Sequence, residues 1–239
     1  MTKRATRSKK VNEEYNEQDY RYTEVNHSPF PRAVKPLVPK GERQEEYLKA
    51  LENYKIVIAT GPSGVGKSFI PIAWAADQLK SGKISQLLIT RPAVEVGESL
   101  GFLPGEMDQK FAPYLTPVLE ILNERLGKSF VELLLKSGRI EATPLAYLRG
   151  RTFKDSVVIL DEAQNCTPGQ MKMFLTRIGI NCSMIIDGDI KQKDIPGKSG
   201  LEDAIERISY IPSVKIIKFD KSDIVRSGLV EEIITAYEG

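Results

Sequence analysis

The sequence predicts a three-layer α/β domain built on a mainly parallel sheet with helices on both faces. Three observations lead there. Short runs rich in Val, Ile and Leu alternate along the chain with stretches of helical periodicity. Most of those runs carry few internal charges, as strands covered on both faces do. A glycine-rich turn follows the first of them directly and opens a helix. Alternation of this kind gives right-handed βαβ crossovers and a sheet held between helical layers.

Taken in order, residues 1–38 are polar and end in a Pro-punctuated stretch containing Pro29, Pro31 and Pro36. They are expected to form a leader without fixed structure, and residues 39–239 the single domain. A helix over 42–53 would place Tyr47, Leu48 and Leu51 on one face. Strands are expected at 55–60, 86–90, 139–142, 156–160, 183–186 and 214–219. All but the third are apolar enough to lie between two helical layers. Helices are expected near 67–81, 113–137, 167–179, 200–209 and 229–237.

Composition narrows the chemistry. With 41% hydrophobic and 28% charged residues, the chain reads as a soluble globular protein. No apolar run approaches the roughly 18 residues a membrane span needs, so no membrane partner is expected. The start has no apolar stretch behind its basic residues, so a secretory signal is not expected and the cytoplasm is. Cys166 and Cys182 have no metal-ligand spacing. The single histidine, His27, lies in the leader, which removes histidine-based triads and metal sites from the domain. A general base must then be a carboxylate, a lysine or a tyrosine.

Charge is unevenly placed. Residues 1–10 carry five basic side chains and no acidic one, which leaves residues 11–239 at net −3 in a chain of net +2. The tip reads either as a solubilising arm or as an arm attracted to phosphates.

After the first strand comes Gly61-Pro62-Ser63-Gly64-Val65-Gly66-Lys67-Ser68, a full match to G-x-x-x-x-G-K-[S/T]. Gly61, Gly64 and Gly66 permit the tight turn that aims successive backbone N–H groups at a phosphate. Lys67 supplies a point charge for β- and γ-phosphate oxygens, and the Ser68 hydroxyl a hard ligand for Mg²⁺. The dipole of the following helix adds to the attraction. The segment Ser156-Val-Val-Ile-Leu-Asp161-Glu162-Ala-Gln164 sets two carboxylates directly after an apolar strand, which is expected to neighbour the phosphate-loop strand. Asp161 would hold Mg²⁺ through water and Glu162 would activate the attacking water. A simple acidic helix start is the plainer alternative. A further strand end, Gly188-Asp189-Ile-Lys-Gln192, would bring a carboxylate and an amide near the γ-phosphate; a turn rich in Gly and Asp explains it equally well.

Several longer segments, 88–105, 144–152, 159–165, 170–177 and Asp223-Ile-Val-Arg226, resemble the PhoH family of ATPases. The similarity runs from about Gly41 to the C-terminus. It implies a RecA-like core related to superfamily 1 helicases, ATP and Mg²⁺ as ligands, and an RNA helicase role. By the same resemblance Gln44 is expected to read the adenine. Family members have Arg-His after Asp-x-Val, whereas this chain has Arg226-Ser227.

Hydrolysis calls for an arginine on the γ-phosphate. Arg226 is the first choice, ahead of Arg177, Arg149 and Arg151. A lone RecA-like core offers half of a two-core cleft, so a homo-oligomeric ring is expected to supply the other half. The Arg149-Gly150-Arg151 turn could touch RNA or be an ordinary connection. An ATPase coupled to RNA or another single-stranded nucleic acid is the leading reading. An ATPase acting on a protein partner is the alternative. Asp194-Ile-Pro-Gly197 fits D-x-x-G, but the chain lacks an Asn-Lys-x-Asp guanine reader, so a GTPase switch is set aside.

Overall fold

The structure, a computed structural model, describes residues 36–92, 107–225 and 236. Residues 1–35 of the leader, residues 93–106, Arg226 and the expected helix at 229–237 lie outside these residues, save Ala236.

Six strands form one sheet: β1 (Ile56–Thr60), β2 (Gln86–Arg91), β3 (Ile140–Pro144), β4 (Ser156–Leu160), β5 (Cys182–Gly188) and β6 (Val214–Lys218). Their spatial order is β3-β2-β4-β5-β1-β6 and every pairing is parallel. Among the described residues, six complete helices accompany them: α1 (Glu42–Asn53), α2 (Phe69–Lys80), α3 (Met107–Leu126), α4 (Lys128–Lys136), α5 (Pro168–Leu175) and α6 (Gly200–Ile208).

Side-chain alternation along the strands divides the core into two layers. Val157 and Ile159 of β4 join Tyr47, Ile70, Leu122 and Leu134 from α1 to α4 on one face. Val158 and Leu160 join Met171, Phe174 and Leu201 from α5 and α6 on the other. All five residues of β4 are buried, so this strand needs apolar residues at every position, and Ser-Val-Val-Ile-Leu supplies four. Each fully buried Leu or Ile contributes about 1.5–3 kcal/mol over an exposed one. The edge strands β3 and β6 are only half covered.

Three expectations change. The Asp161 strand is not next to the phosphate-loop strand: β5 lies between them, paired with β4 on one side and β1 on the other. The sixth strand, expected to be covered on both faces, is an edge with Lys218 exposed. The single helix expected over 113–137 breaks at Gly127, whose φ of 83° suits glycine and separates α3 from α4. Arg125 at the end of α3 is buried and ion-paired with Asp77 of α2, which ties the two helices together.

Candidate functional site

The phosphate loop runs from the end of β1 to Ser68, and α2 starts at Phe69. Its glycines are there for space and conformation. Gly61 has φ 145°, and a Cβ on it would lie 2.5 Å from the Phe219 carbonyl oxygen at the end of β6. Gly64 and Gly66 have φ of 87° and 92°. These values are open to glycine and costly for other residues.

Helix α1 carries the loop from beneath. Gln44 donates from Nε2 to the Val65 carbonyl at 2.9 Å and accepts from the Lys40 backbone N–H at 2.9 Å. One turn on, the buried Tyr47 hydroxyl donates to the Lys67 carbonyl at 3.3 Å. In an unbroken helix that carbonyl would receive the N–H of residue 71, but residue 71 is proline. Pro71 thus frees an acceptor that Tyr47 takes. The Tyr47 ring also meets Phe219 edge-on at 5.7 Å.

Lys67 folds over its own loop, donating from Nζ to the carbonyls of Gly61 and Pro62, each at 2.7 Å. Burial lowers its pKa, against the pull of Asp187, Asp189, Glu162 and Asp161. Ser68 donates from Oγ to Asp161 Oδ1 at 3.1 Å, reaching across β5 to the end of β4. Asp161 Oδ2 accepts from Arg91 Nε at 3.1 Å and Nη2 at 2.5 Å. The Asp161 carboxyl sits below its ordinary range although burial, the largest influence, pushes it upward; hydrogen bonding by Asp187, Arg91 and Ser68 outweighs that.

Glu162 adopts a left-handed backbone, φ 55° and ψ 38°, a conformation that costs a non-glycine residue energy and collects at functional sites. Its side chain does not cap the following turn, as the plainer reading of the two acids required. It accepts from Gln164 Nε2 at 2.6 Å and lies 3.5 Å from Arg91 Nη2. Gln164 is buried and also accepts the Asp189 N–H at 3.0 Å, so it links the end of β4 to the end of β5. Gly188 makes room for it: a Cβ there would lie 2.5 Å from Gln164 Oε1. Gln192 Nε2 donates to Ser63 Oγ at 3.3 Å and Asp189 Oδ2 at 3.0 Å, over the phosphate loop. Asp189 Oδ1 accepts the Lys191 N–H, so this segment is also the Gly/Asp turn weighed against a phosphate-facing role.

Beneath them, Asp187 is buried and neither of its oxygens accepts a hydrogen bond among the described residues. Only in its protonated form can it donate one, to Asp161. Burial raises its pKa well above the carboxylate range, and the neighbouring Asp161 raises it further. The cleft above holds about 500 Å³ and is lined by the phosphate loop, Gln44, Asp161, Glu162, Asp187 and Gln192, with Val38 and Phe69 at its rim. That volume accommodates a nucleotide-sized ligand.

The candidate arginines part company. Arg226 lies outside the described residues, although its neighbour Val225 donates its N–H to Gly64 of the loop at 3.0 Å. Arg151 grips Glu141 with two hydrogen bonds, at 2.5 and 2.8 Å, and covers the Phe153 ring. Arg177 donates to the carbonyls of Met173 and Arg151. Neither touches the cleft. Arg91 does touch its acids, and sequence reasoning misses it: the residue sits in a family-like segment but belongs to no spacing pattern. Asp187 is missed too, as the polar end of an apolar strand.

Fold and phosphate loop together define the class, a P-loop NTPase-like α/β domain. The model of the PhoH-like protein family matches residues 36–238, and the chain belongs to that family. It is 47% identical over 210 residues to Protein PhoH of Escherichia coli (strain K12), covering 86% of this chain and 59% of that one. It is 49% identical over 197 residues to the PhoH-like protein of Bacillus subtilis (strain 168), covering 82% and 62%. The chain thus spans less than two thirds of the length of these relatives. The large terminase of a thermophilic bacteriophage aligns with a TM-score of 0.49 and 11% identity, over 83% of this chain and 50% of that one. No helix among the described residues is long and apolar enough to cross a membrane.

Proposed function

We propose that this chain is a Mg²⁺-dependent ATPase whose hydrolysis is coupled to RNA or another single-stranded nucleic acid. One observation carries the ATPase part. The Ser68 hydroxyl meets the Asp161 carboxylate at 3.1 Å directly beside the phosphate loop, with Glu162 the next residue along. A hydroxyl, a carboxylate and a charged lysine at the mouth of a glycine loop suit a metal–triphosphate.

Loop N–H groups and Lys67 would bind the β- and γ-phosphates, Lys67 giving up the Gly61 and Pro62 carbonyls to do so. Ser68 and Asp161 would hold Mg²⁺, which when bound offsets charge on the phosphate oxygens. Glu162 would take a proton from the attacking water, held in position by Gln164. Through Gln164, Asp189 and Gln192, that carboxylate is mechanically joined to the segment over Ser63. Gln44 would read an adenine edge by exchanging Lys40 and Val65 for base nitrogens. Arg226, from this chain or from a neighbour in a ring, would complete the charge on the γ-phosphate.

The nucleic-acid part is supported by family membership and by the basic residues 1–10. The acidic balance of residues 11–239 favours the alternative, an ATPase that works on a protein partner. ATP hydrolysis measured with and without RNA, single-stranded DNA and duplex separates them. Stimulation by single-stranded RNA is expected. Affinity should fall with salt at a log–log slope of about 0.7 per phosphate contact, and deleting residues 1–10 should reduce that slope without changing basal hydrolysis. A flat response at low salt from active enzyme would leave only the partner reading.

A further inference from the structure

Asp187 lines the phosphate-loop site, and the mechanism above gives it no role. We propose that Asp187 is a second carboxylate of the divalent-cation site, an oxygen ligand, direct or through water, that this chain adds to Ser68 and Asp161. The proposal rests on reading the site as one for a metal–nucleotide.

Register places it. β4 and β5 pair in parallel with Ile159 opposite Ile185 and Leu160 opposite Ile186. One residue further on, Asp161 and Asp187 emerge side by side at the same end of the sheet. Ile159 and Ile185, two residues back, both pack into the layer shared with α2, so both acids face the helix that starts after Ser68. Asp187 lines the cleft together with Lys67, Ser68 and Asp161.

Among the described residues, no donor reaches its oxygens. The residue is 1% exposed, and neither oxygen accepts a hydrogen bond among the described residues. Two acids abutting in a buried place repel, and a buried carboxylate without a partner is costly. The nearby cations are engaged elsewhere. Lys67 is spent on the Gly61 and Pro62 carbonyls, and Arg91 on Asp161 and Glu162. Asp161 has given one oxygen to Ser68 and the other to Arg91. Among the described residues, Asp187 is therefore the carboxylate in the site whose acceptor capacity is unspent.

The described residues contain no group of three acidic, Cys or His side chains that could hold a metal by themselves. That agrees with the proposal, because Mg²⁺ commonly takes one or two carboxylates and completes its shell with phosphates and water. A carboxylate in this position gives a metal-bound triphosphate an added oxygen ligand and gives a metal-free one nothing. Asp187 thus makes nucleotide binding more strictly dependent on the cation.

The test compares the full chain with Asp187→Asn, which keeps the shape and removes the charge. Binding of a fluorescent ATP analogue is titrated once in EDTA and once with Mn²⁺, and free Mn²⁺ is followed by electron paramagnetic resonance. Asp187→Asn is expected to bind the metal-free analogue as well as the wild type or better. The Mn²⁺/EDTA affinity ratio should fall by about tenfold or more, the scale on which metal sites respond to loss of a supporting carboxylate. Asp187→Ser, smaller and also neutral, must move the ratio the same way. An unchanged ratio, including equal weakening under both conditions, would mean that Asp187 is a structural acid and overturn the proposal. A wild-type chain that binds the analogue with no gain from Mn²⁺ would instead overturn the metal–nucleotide reading on which it stands.

Discussion

Arg91 and Asp161 are joined at a single oxygen: Nε and Nη2 of the guanidinium both donate to Asp161 Oδ2, at 3.1 and 2.5 Å. The same Nη2 lies 3.5 Å from Glu162, so one side chain at the end of β2 spans both acids at the end of β4. Opposite charge also raises the guanidinium pKa despite its burial. Arg91→Ala is expected to lower turnover by about 10- to 100-fold, while nucleotide affinity changes little. Arg91→Lys should recover only part of it, because an ammonium cannot reproduce the fork. Steady-state hydrolysis beside analogue binding checks this, and wild-type turnover in Arg91→Ala would show that the acids hold their places unaided.

On the proposed reading, Lys67 would serve binding and Glu162 chemistry. Lys67→Ala should abolish tight ATP binding, since the phosphates lose their fixed cation. Glu162→Gln should still bind ATP with Mg²⁺ but turn it over about 100-fold more slowly or worse. Near-normal turnover in Glu162→Gln would remove Glu162 from the role of base.

The two arginines flanking Gly150 should behave differently. Arg151 is committed to Glu141, whose pKa it lowers by hydrogen bonding, whereas Arg149 is exposed. Arg149→Ala is expected to reduce stimulation by RNA and leave basal hydrolysis alone. Arg151→Ala should instead lower stability, by no more than about 1 kcal/mol for a solvent-screened pair. Because Glu141 is held below its ordinary value, that contribution is present above pH 4.5 and fades as pH falls through its lowered pKa. Thermal melts at pH 7 and pH 4 would read it, and an equal loss of RNA stimulation in both variants would return Arg151 to the binding surface.

Burial pushes the Cys166 thiol up to about 12, and it raises Cys182 as well. Both should resist thiol reagents at pH 8 in the folded state and react on denaturation. Stability tied to these neutral thiols is complete below the unfolded value of 9.0 and declines as pH climbs towards 12. Rapid labelling of native protein would contradict the packing around Phe174 and Leu160.

The strands and most helices are legible in the sequence because apolar runs and caps are local. Ser199 and Thr167, for example, begin α6 and α5 with capping boxes that the sequence displays openly. The phosphate loop is legible because its chemistry demands a fixed spacing. Strand order is not, since nothing in Ser156–Leu160 says whether its neighbour is β1 or β5. Arg91 and Asp187 are hidden for the same reason: their meaning comes from Asp161, which lies 70 and 26 residues away in the chain. Gly127 is visible as a residue, but a helical pattern continuing beyond it conceals the break.

The placement of β1 has a consequence for synthesis. Its two partners in the sheet, β5 and β6, begin at Cys182 and Val214, both far downstream of Thr60. A ribosome adding about 5–20 residues per second therefore leaves the phosphate-loop strand without neighbours for on the order of ten seconds. During that interval an apolar ribbon with open edges is exposed, a form prone to mispairing. The long loop closures also predict slow folding. If the loop binds ATP as proposed, the nucleotide would steady this protein only after β6 has emerged and so act late as a folding ligand.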